Sequence, residues 1–281
     1  MDELALAGRW WAASLALVAS ALPAIAAAEC TTTSAPIETD RPDITNSSVV
    51  VPVGSFQSEN GVNISGREGA QIFDGTNSRL RLGIATCLEV LLDVPTYVAP
   101  VSGSGASGFT DVAPAVKWQI SPVPGKFDLS VVAGVALPTG AITIAGRGAQ
   151  PYLQFPWSYE LNSGWALTGM VTNFFMPGER LNHYTNQSTF VIERQFGERA
   201  FVFAEYIGDF PLIGGVTHRL NFGGRLRITP MQQIDFHAGI GLNHNAPAYV
   251  FGIGYSLRID GFLKASDLAR MPTGSLADRH Q

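Results

Sequence analysis

Apolar and polar residues alternate one by one along much of the chain. From residue 111 onward, Val112, Pro114, Val116, Trp118 and Ile120 interleave with Asp111, Ala113, Ala115, Lys117 and Gln119. Successive side chains of a strand point to opposite faces, so a period of two predicts a strand with one apolar face. Leu153, Phe155, Trp157, Tyr159 and Leu161 alternate in the same way with Gln154, Ser158 and Glu160. Leu220, Phe222, Leu226 and Ile228 oppose Arg219, Asn221, Arg225 and Arg227. Ile234, Phe236, Ala238, Ile240 and Leu242 oppose Asp235, His237 and Asn243, and Tyr249, Phe251, Ile253, Tyr255 and Leu257 oppose glycines, Ser256 and Arg258. Helical spacing fits none of these. With the weaker segments, strands are predicted at 55–65, 78–86, 88–97, 110–120, 127–138, 149–161, 165–175, 184–196, 200–208, 217–229, 233–243 and 248–260. Residues 185–195 and 200–208 have mixed faces.

The connections carry a second pattern. Short turns follow strands two, four, six, eight and ten, around Cys87 and at 121–126, 162–164, 197–199 and 230–232. Most of the others are longer and glycine-rich, as at 66–77, 99–108 and 139–148, although the one before Ala248 is brief. Short turns on one side and long loops on the other describe an outer-membrane barrel, with short periplasmic turns and longer external loops. The prediction is therefore an all-β, transmembrane, antiparallel up-and-down barrel of about 12 strands over 55–260, with both ends in the periplasm. A secreted β-sandwich would show the same alternation with the apolar face as its core.

Composition agrees. Only 15% of the 281 residues are charged and 46% are hydrophobic, against a usual quarter charged. A wall facing lipid explains this poverty of charge. The net charge is −5 with no basic run, which argues against a nucleic-acid partner. Trp10 to Ala28 is an unbroken apolar run ending in Ala26-Ala27-Ala28, preceded by Arg9 but also by Asp2 and Glu3. It predicts a cleaved signal peptide at 1–28; Pro23 and the alanine-rich end argue against a retained anchor helix. Glu29 occupies the place where a lipidated Cys30 would need a small residue. No other segment approaches the ~18 consecutive apolar residues of a membrane helix, so a membrane-embedded chain must close into a barrel. The expected division is a signal peptide 1–28, a periplasmic lead-in 29–54, a barrel 55–260 and a polar tail 261–281, located in the Gram-negative outer membrane.

Three stretches carry a family resemblance. Glu38-Thr39-Asp40-Arg41-Pro42-Asp43-Ile44-Thr45-Asn46-Ser47 precedes the first strand, and Val51-Pro52-Val53-Gly54-Ser55-Phe56-Gln57-Ser58-Glu59-Asn60-Gly61 leads into it. Gly241-Leu242-Asn243, Ala246-Pro247 and Phe251-Gly252-Ile253-Gly254-Tyr255-Ser256 form the third. Together they resemble the family of outer-membrane transporters named for the meta-cleavage pathway of phenol degradation, over about residues 37–260. The resemblance implies a β-barrel and passage of small organic, including aromatic, compounds. The polar tail 265–281 departs from barrels that end on an aromatic residue of the last strand.

Parity nominates lumen residues. A charge on the lipid face near the bilayer midplane costs about 2–4 kcal/mol, so Arg219, Arg225 and Arg227 are expected to face inward, as are Arg81, Lys117, Arg258, Glu59, Glu89 and Asp93. Such arginines either pair with carboxylates and fill the interior or grip organic acids with paired hydrogen bonds. The first role is expected for Arg258 and the second, giving anion preference, for Arg225 and its neighbours. Asp235 and His237, two apart on one strand, have the makings of a general base. A polar lumen wall is the preferred reading, because no nucleophile has a defined place beside them. No histidine or cysteine spacing suggests a metal, and no enzyme activity or cofactor is expected. Glu38, Asp40, Arg41 and Asp43 either plug the periplasmic mouth or form a solvated lead-in. Cys30 and Cys87 fall on the same oxidising side, so a disulfide is expected, contributing about 2–4 kcal/mol by loop closure. The expected function is a channel or transporter whose partners are outer-membrane lipid and small organic solutes. A structural or adhesive barrel with a closed lumen is the main alternative, and an outer-membrane hydrolase a more distant one.

Overall fold

A computed structural model describes residues 30–120, 127–146, 148–175 and 184–264. The expected signal peptide, the predicted turn 121–126 and the tail from residue 265 lie outside them. The strand segments are β1 (Phe56–Arg67), β2 (Ala70–Gly75), β3 (Arg79–Ala85), β4 (Leu88–Asp93), β5 (Tyr97–Ser102), β6 (Gly108–Phe109), β7 (Ala113–Gln119) and β8 (Phe127–Ala136). They continue with β9 (Gln150–Glu160), β10 (Trp165–Phe175), β11 (Tyr184–Phe196), β12 (Ala200–Pro211), β13 (Thr217–Thr229), β14 (Gln232–Gly241) and β15 (Tyr249–Ile259).

Every pairing between these segments is antiparallel, and β15 pairs with β1 to close the sheet, Gly61 opposite Gly254. The first half of β1 pairs with β3 and the second half with β2, so β2 and β3 are two pieces of one strand. β4 with β5, and β6 with β7, repeat the arrangement. Their interruptions lie side by side, joined by Val94 N–H to Ser78 O (2.9 Å) and Thr110 N–H to Thr96 O (2.9 Å). The result is a closed antiparallel barrel of 12 strands.

Two expected external loops are corrected. Residues 66–77 hold the end of β1 and all of β2, and 99–108 hold the end of β5 and the start of β6. The first connection is the tight turn Glu68-Gly69, both at positive φ (50° and 83°). That is the backbone of a two-residue hairpin turn, and glutamate at its first position conceals it in the sequence.

Exposure separates the two faces. Phe236 is 62% and Ile253 61% exposed, whereas Glu59, Glu89 and Lys117 are 0% exposed. A secreted sandwich would have the opposite, an apolar interior. An apolar exterior around a polar interior suits lipid, where backbone groups are satisfied within the closed sheet. Trp118, Tyr159, Trp165 and Phe196 are exposed near the short-turn end, and Tyr97, Phe109, Phe175 and Phe210 toward the other. They mark the two membrane interfaces.

Of the two expectations for the lead-in, a plug and a solvated segment, the structure has the first, because much of it lies within the barrel. It passes the rim at Ile37, whose N–H donates to Pro230 O at 2.7 Å, and returns at Gly54, whose N–H donates to Gly83 O at 2.8 Å. Ile37, Asp40, Thr45, Asn46, Ser48, Val50 and Val51 are all buried. Side chains roughly fill a barrel of about eight strands; this wider one has room for a segment of chain.

Candidate functional site: the occupied lumen

The inward faces of β1, β3, β4 and β7 build an ionic hub. Register sets Arg79 opposite Asp93 and Glu89 opposite Lys117, the cross-strand placement that favours opposite charges. Arg81 reaches Glu59 at 3.0 Å and Glu89 at 2.9 Å, and Arg79 reaches Asp93 at 2.6 Å. The plug supplies the centre. Asp40 lies 3.0 Å from Arg79, 3.2 Å from Lys117 and 3.4 Å from Arg81. Burial by itself would raise the Asp40 carboxyl, but Arg81, Lys117 and Arg79 outweigh it and hold the group well below the usual carboxylate range.

Next to the hub, Arg41 turns toward β14 and meets Asp235 at 3.3 Å. Its guanidinium lies over the paired glycines that close the barrel. A Cβ on Gly61 would fall 2.0 Å from Arg41 Nη2, and one on Gly254 would fall 2.6 Å from Nε. His237 contacts the amide oxygens of Asn221 (3.0 Å) and Asn63 (3.1 Å) through its two ring nitrogens. Asp235 and His237 share a face of the lumen wall, where Asp235 meets Arg41 and His237 meets Asn221 and Asn63.

The plug then crosses to the far wall. Glu205 on β12 accepts the N–H of Ile44 (3.0 Å) and of Thr45 (2.9 Å), the Thr45 hydroxyl (2.9 Å) and the Asn221 amide (3.0 Å). Thr45 also bonds Thr189 at 2.6 Å, and Asn46 donates to Gln154 at 2.8 Å. On the way back, Val51 N–H donates to Glu89 at 2.6 Å, as Asp40 N–H does to Glu59 at 2.9 Å. A buried N–H without a strand partner must be satisfied some other way, and here wall glutamates accept it in charge-assisted bonds. Asp43, between Arg41 and the Glu205 contacts, makes no ion pair among the described residues. Burial first, and the neighbouring Glu205 second, raise its carboxyl well above the ordinary value despite Arg225.

The expected lumen residues all face inward, but the basic wall of β13 is neutralised. Arg219 pairs with Asp209 at 3.3 Å, Arg225 with Glu193 and more distantly with Glu38, and Arg227 with Glu38. Arg225 and Arg227 also stack on the Phe201 ring, 4.8 and 4.5 Å from its centre. Arg258 pairs with Asp260 at 2.9 Å and donates to Ala35 O at 2.7 Å, fastening the lead-in to the rim. Cys30 and Cys87 form a disulfide, their Cα atoms 5.3 Å apart. Arg79, Glu193 and Glu205 escaped the sequence reading. Parity with Arg81 marks Arg79. Glu205 is hidden because Phe201, Phe203 and Ile207 share its inward face, leaving both faces of β12 apolar.

Among the cavities that border the plug in the described residues, two share part of their lining. One, of about 400 Å³, lies toward the short-turn end between Asp43–Val49 and the β8–β13 wall. The other, of about 320 Å³, lies toward the external end, between Asp40–Asn46 and residues such as Asn77, Asp93 and Asp111. Asp43 and Asn46 line both. Among the described residues no group of histidines, cysteines or carboxylates is placed to hold a metal.

A closed barrel with a lipid-facing exterior, a polar lumen and an internal segment of its own chain defines an outer-membrane β-barrel protein. The family model described as "Putative MetA-pathway of phenol degradation" matches residues 39–259. The chain belongs to that family. Among solved structures, an outer membrane channel from Pseudomonas putida F1 is similar, with 13% identity, a TM-score of 0.59, and coverage of 79% of this chain and 100% of that one. The NanC porin shares the fold at 7% identity and a TM-score of 0.52, covering 73% of this chain and 100% of its own. No curated protein matches the chain.

Proposed function

We propose that the protein is an outer-membrane channel for small organic solutes, aromatic compounds among them, whose N-terminal segment must shift to widen the path. The observation that carries this reading is the pair of polar cavities flanking the plug, with Asp43 and Asn46 common to both. A barrel built only as a scaffold has no need of chambers. The plug is held chiefly by hydrogen bonds and ion pairs, and those beside the cavities have water as an alternative partner. Met170, Thr172 and Ile207 are almost completely covered, so the far wall offers no wide bypass. The reading assigns no reaction, because Asp235 and His237 are both engaged in lumen contacts. The test is planar-bilayer conductance of the full mature protein and of Asp40→Ala. Small conductance in the first and larger conductance in the second are expected. Insertion of both proteins without current would leave a closed structural barrel.

A further inference from the structure

The charge of the lumen is one-sided once its pairs are removed. Arg41, Arg79, Arg81, Lys117, Arg219, Arg225 and Arg227 are each matched by a carboxylate. Asp43, Asp111 and Asp128 have no cationic partner among the described residues. Asp111 accepts backbone N–H groups of Thr139, Gly140 and Gly146, and Asp128 a bond from Gln119, contacts that leave their charge uncancelled. The chambers inherit the excess. Glu38, Asp43, Asp128, Glu160 and Glu193 line the first against Arg225. Asp40, Asp43, Glu59, Asp93 and Asp111 line the second against Arg41 and Arg79. Asp43 is the acidic side chain common to both linings, between the two chambers.

We propose that this passage favours cationic and neutral organic solutes over organic anions, and that Asp43 is the residue that sets the preference. The inference rests on the channel reading above and gives it a substrate class. A fixed carboxylate at a neck with low-dielectric walls attracts a protonated amine and repels a carboxylate. The sign is opposite to the one expected from the arginines of β13, because the fold supplies each of them with an acid. Asp43 faces Glu205 from β12, Arg225 from β13 and Glu193 from β11. Its raised carboxyl gains charge only above the usual carboxylate range, so the preference grows as pH rises.

The test uses the mature protein in planar bilayers under a potassium chloride gradient. The reversal potential should report cation preference at pH 8, and Asp43→Asn should lower the cation-to-anion permeability ratio by about fourfold, since one charge roughly 10 Å away in water shifts cation and anion about twofold each in opposite directions. Anion preference in the wild type, or an Asp43→Asn variant with an unchanged ratio, overturns the inference and leaves the channel intact. Calorimetric titration of the detergent-solubilised protein with benzylammonium and with benzoate gives a readout independent of conduction. Tighter binding of benzylammonium, weakened in Asp43→Asn, is expected, and equal or reversed affinities overturn the proposal. Absence of current with this binding order retained would remove the channel reading alone.

Discussion

Asp40 and Asp43 stand three residues apart on one segment, yet the two sides of the lumen hold them differently. The β1–β7 wall meets Asp40 with three cations in a buried hub. The β11–β13 wall offers Asp43 no ion pair among the described residues and grips its neighbours through hydrogen bonds to Glu205. A buried ion cluster is costly to break because the orphaned charges stay out of water, whereas at Glu205, itself 1% exposed, the plug contributes only uncharged N–H and hydroxyl groups. The plug is thus anchored on one wall and releasable on the other. Its covalent tether is on the anchored side, since Cys87 lies in the turn between β3 and β4.

The contrast can be broken most directly at its centre. Asp40→Ala should weaken the seat by about 3–5 kcal/mol, since it removes the plug's own buried partner of Arg79, Arg81 and Lys117 and leaves these cations to the wall carboxylates alone. Asp43→Ala should change it by less than about 1 kcal/mol, in keeping with a group that has no ion pair. Protease sensitivity of the segment in the folded barrel measures both, and equal effects would erase the distinction between the walls. Replacing Cys30 and Cys87 by serine should cost about 2–4 kcal/mol through loop closure. It should appear as a lower midpoint for loss of the fast-migrating folded band, and an unchanged midpoint would show that the tether does not support the fold. Glu205→Gln keeps the shape but removes the charge from the bonds to Ile44 and Thr45, a loss of about 1 kcal/mol per bond, the difference between charged and neutral hydrogen bonds. Open probability should rise in this variant without the persistent currents expected of Asp40→Ala.

The smallest effect is the pH dependence, and the two carboxyls predict opposite signs. Asp40 is held below the usual range, so its contribution is present at neutral pH and is lost only as pH falls through that lowered value. Asp43 is held above it, so its contribution is complete at low pH and declines as pH rises through the raised value. Mild alkalinisation should therefore increase opening in the wild type and leave Asp43→Asn unaffected. Opening that increases toward acid in the wild type would reverse the assignment.

Much of this molecule is legible in one dimension. The alternation at Val112–Ile120 and Ile234–Leu242 sets inward and outward faces, because the pleat allows only two sides. The inward placement of Arg81, Glu59, Glu89, Lys117 and Asp235 came from the same rule. Less visible were features in which two signals overlapped. The Glu68-Gly69 turn lacks the usual small or polar first residue, and β12 carries apolar side chains on both faces, which concealed Glu205.

The sequence by itself determined the strands, their facing and the closed barrel, since periodicity and the lack of a second long apolar run are local properties that lipid converts directly into architecture. It did not determine that residues 37–51 enter the lumen, or which carboxylate each arginine meets. Those outcomes depend on groups far apart in the chain, such as Asp40 with Lys117 and Arg41 with Asp235. Whether an arginine selects anions or only balances an acid is decided by distances of a few ångströms, and only the closed barrel sets those distances.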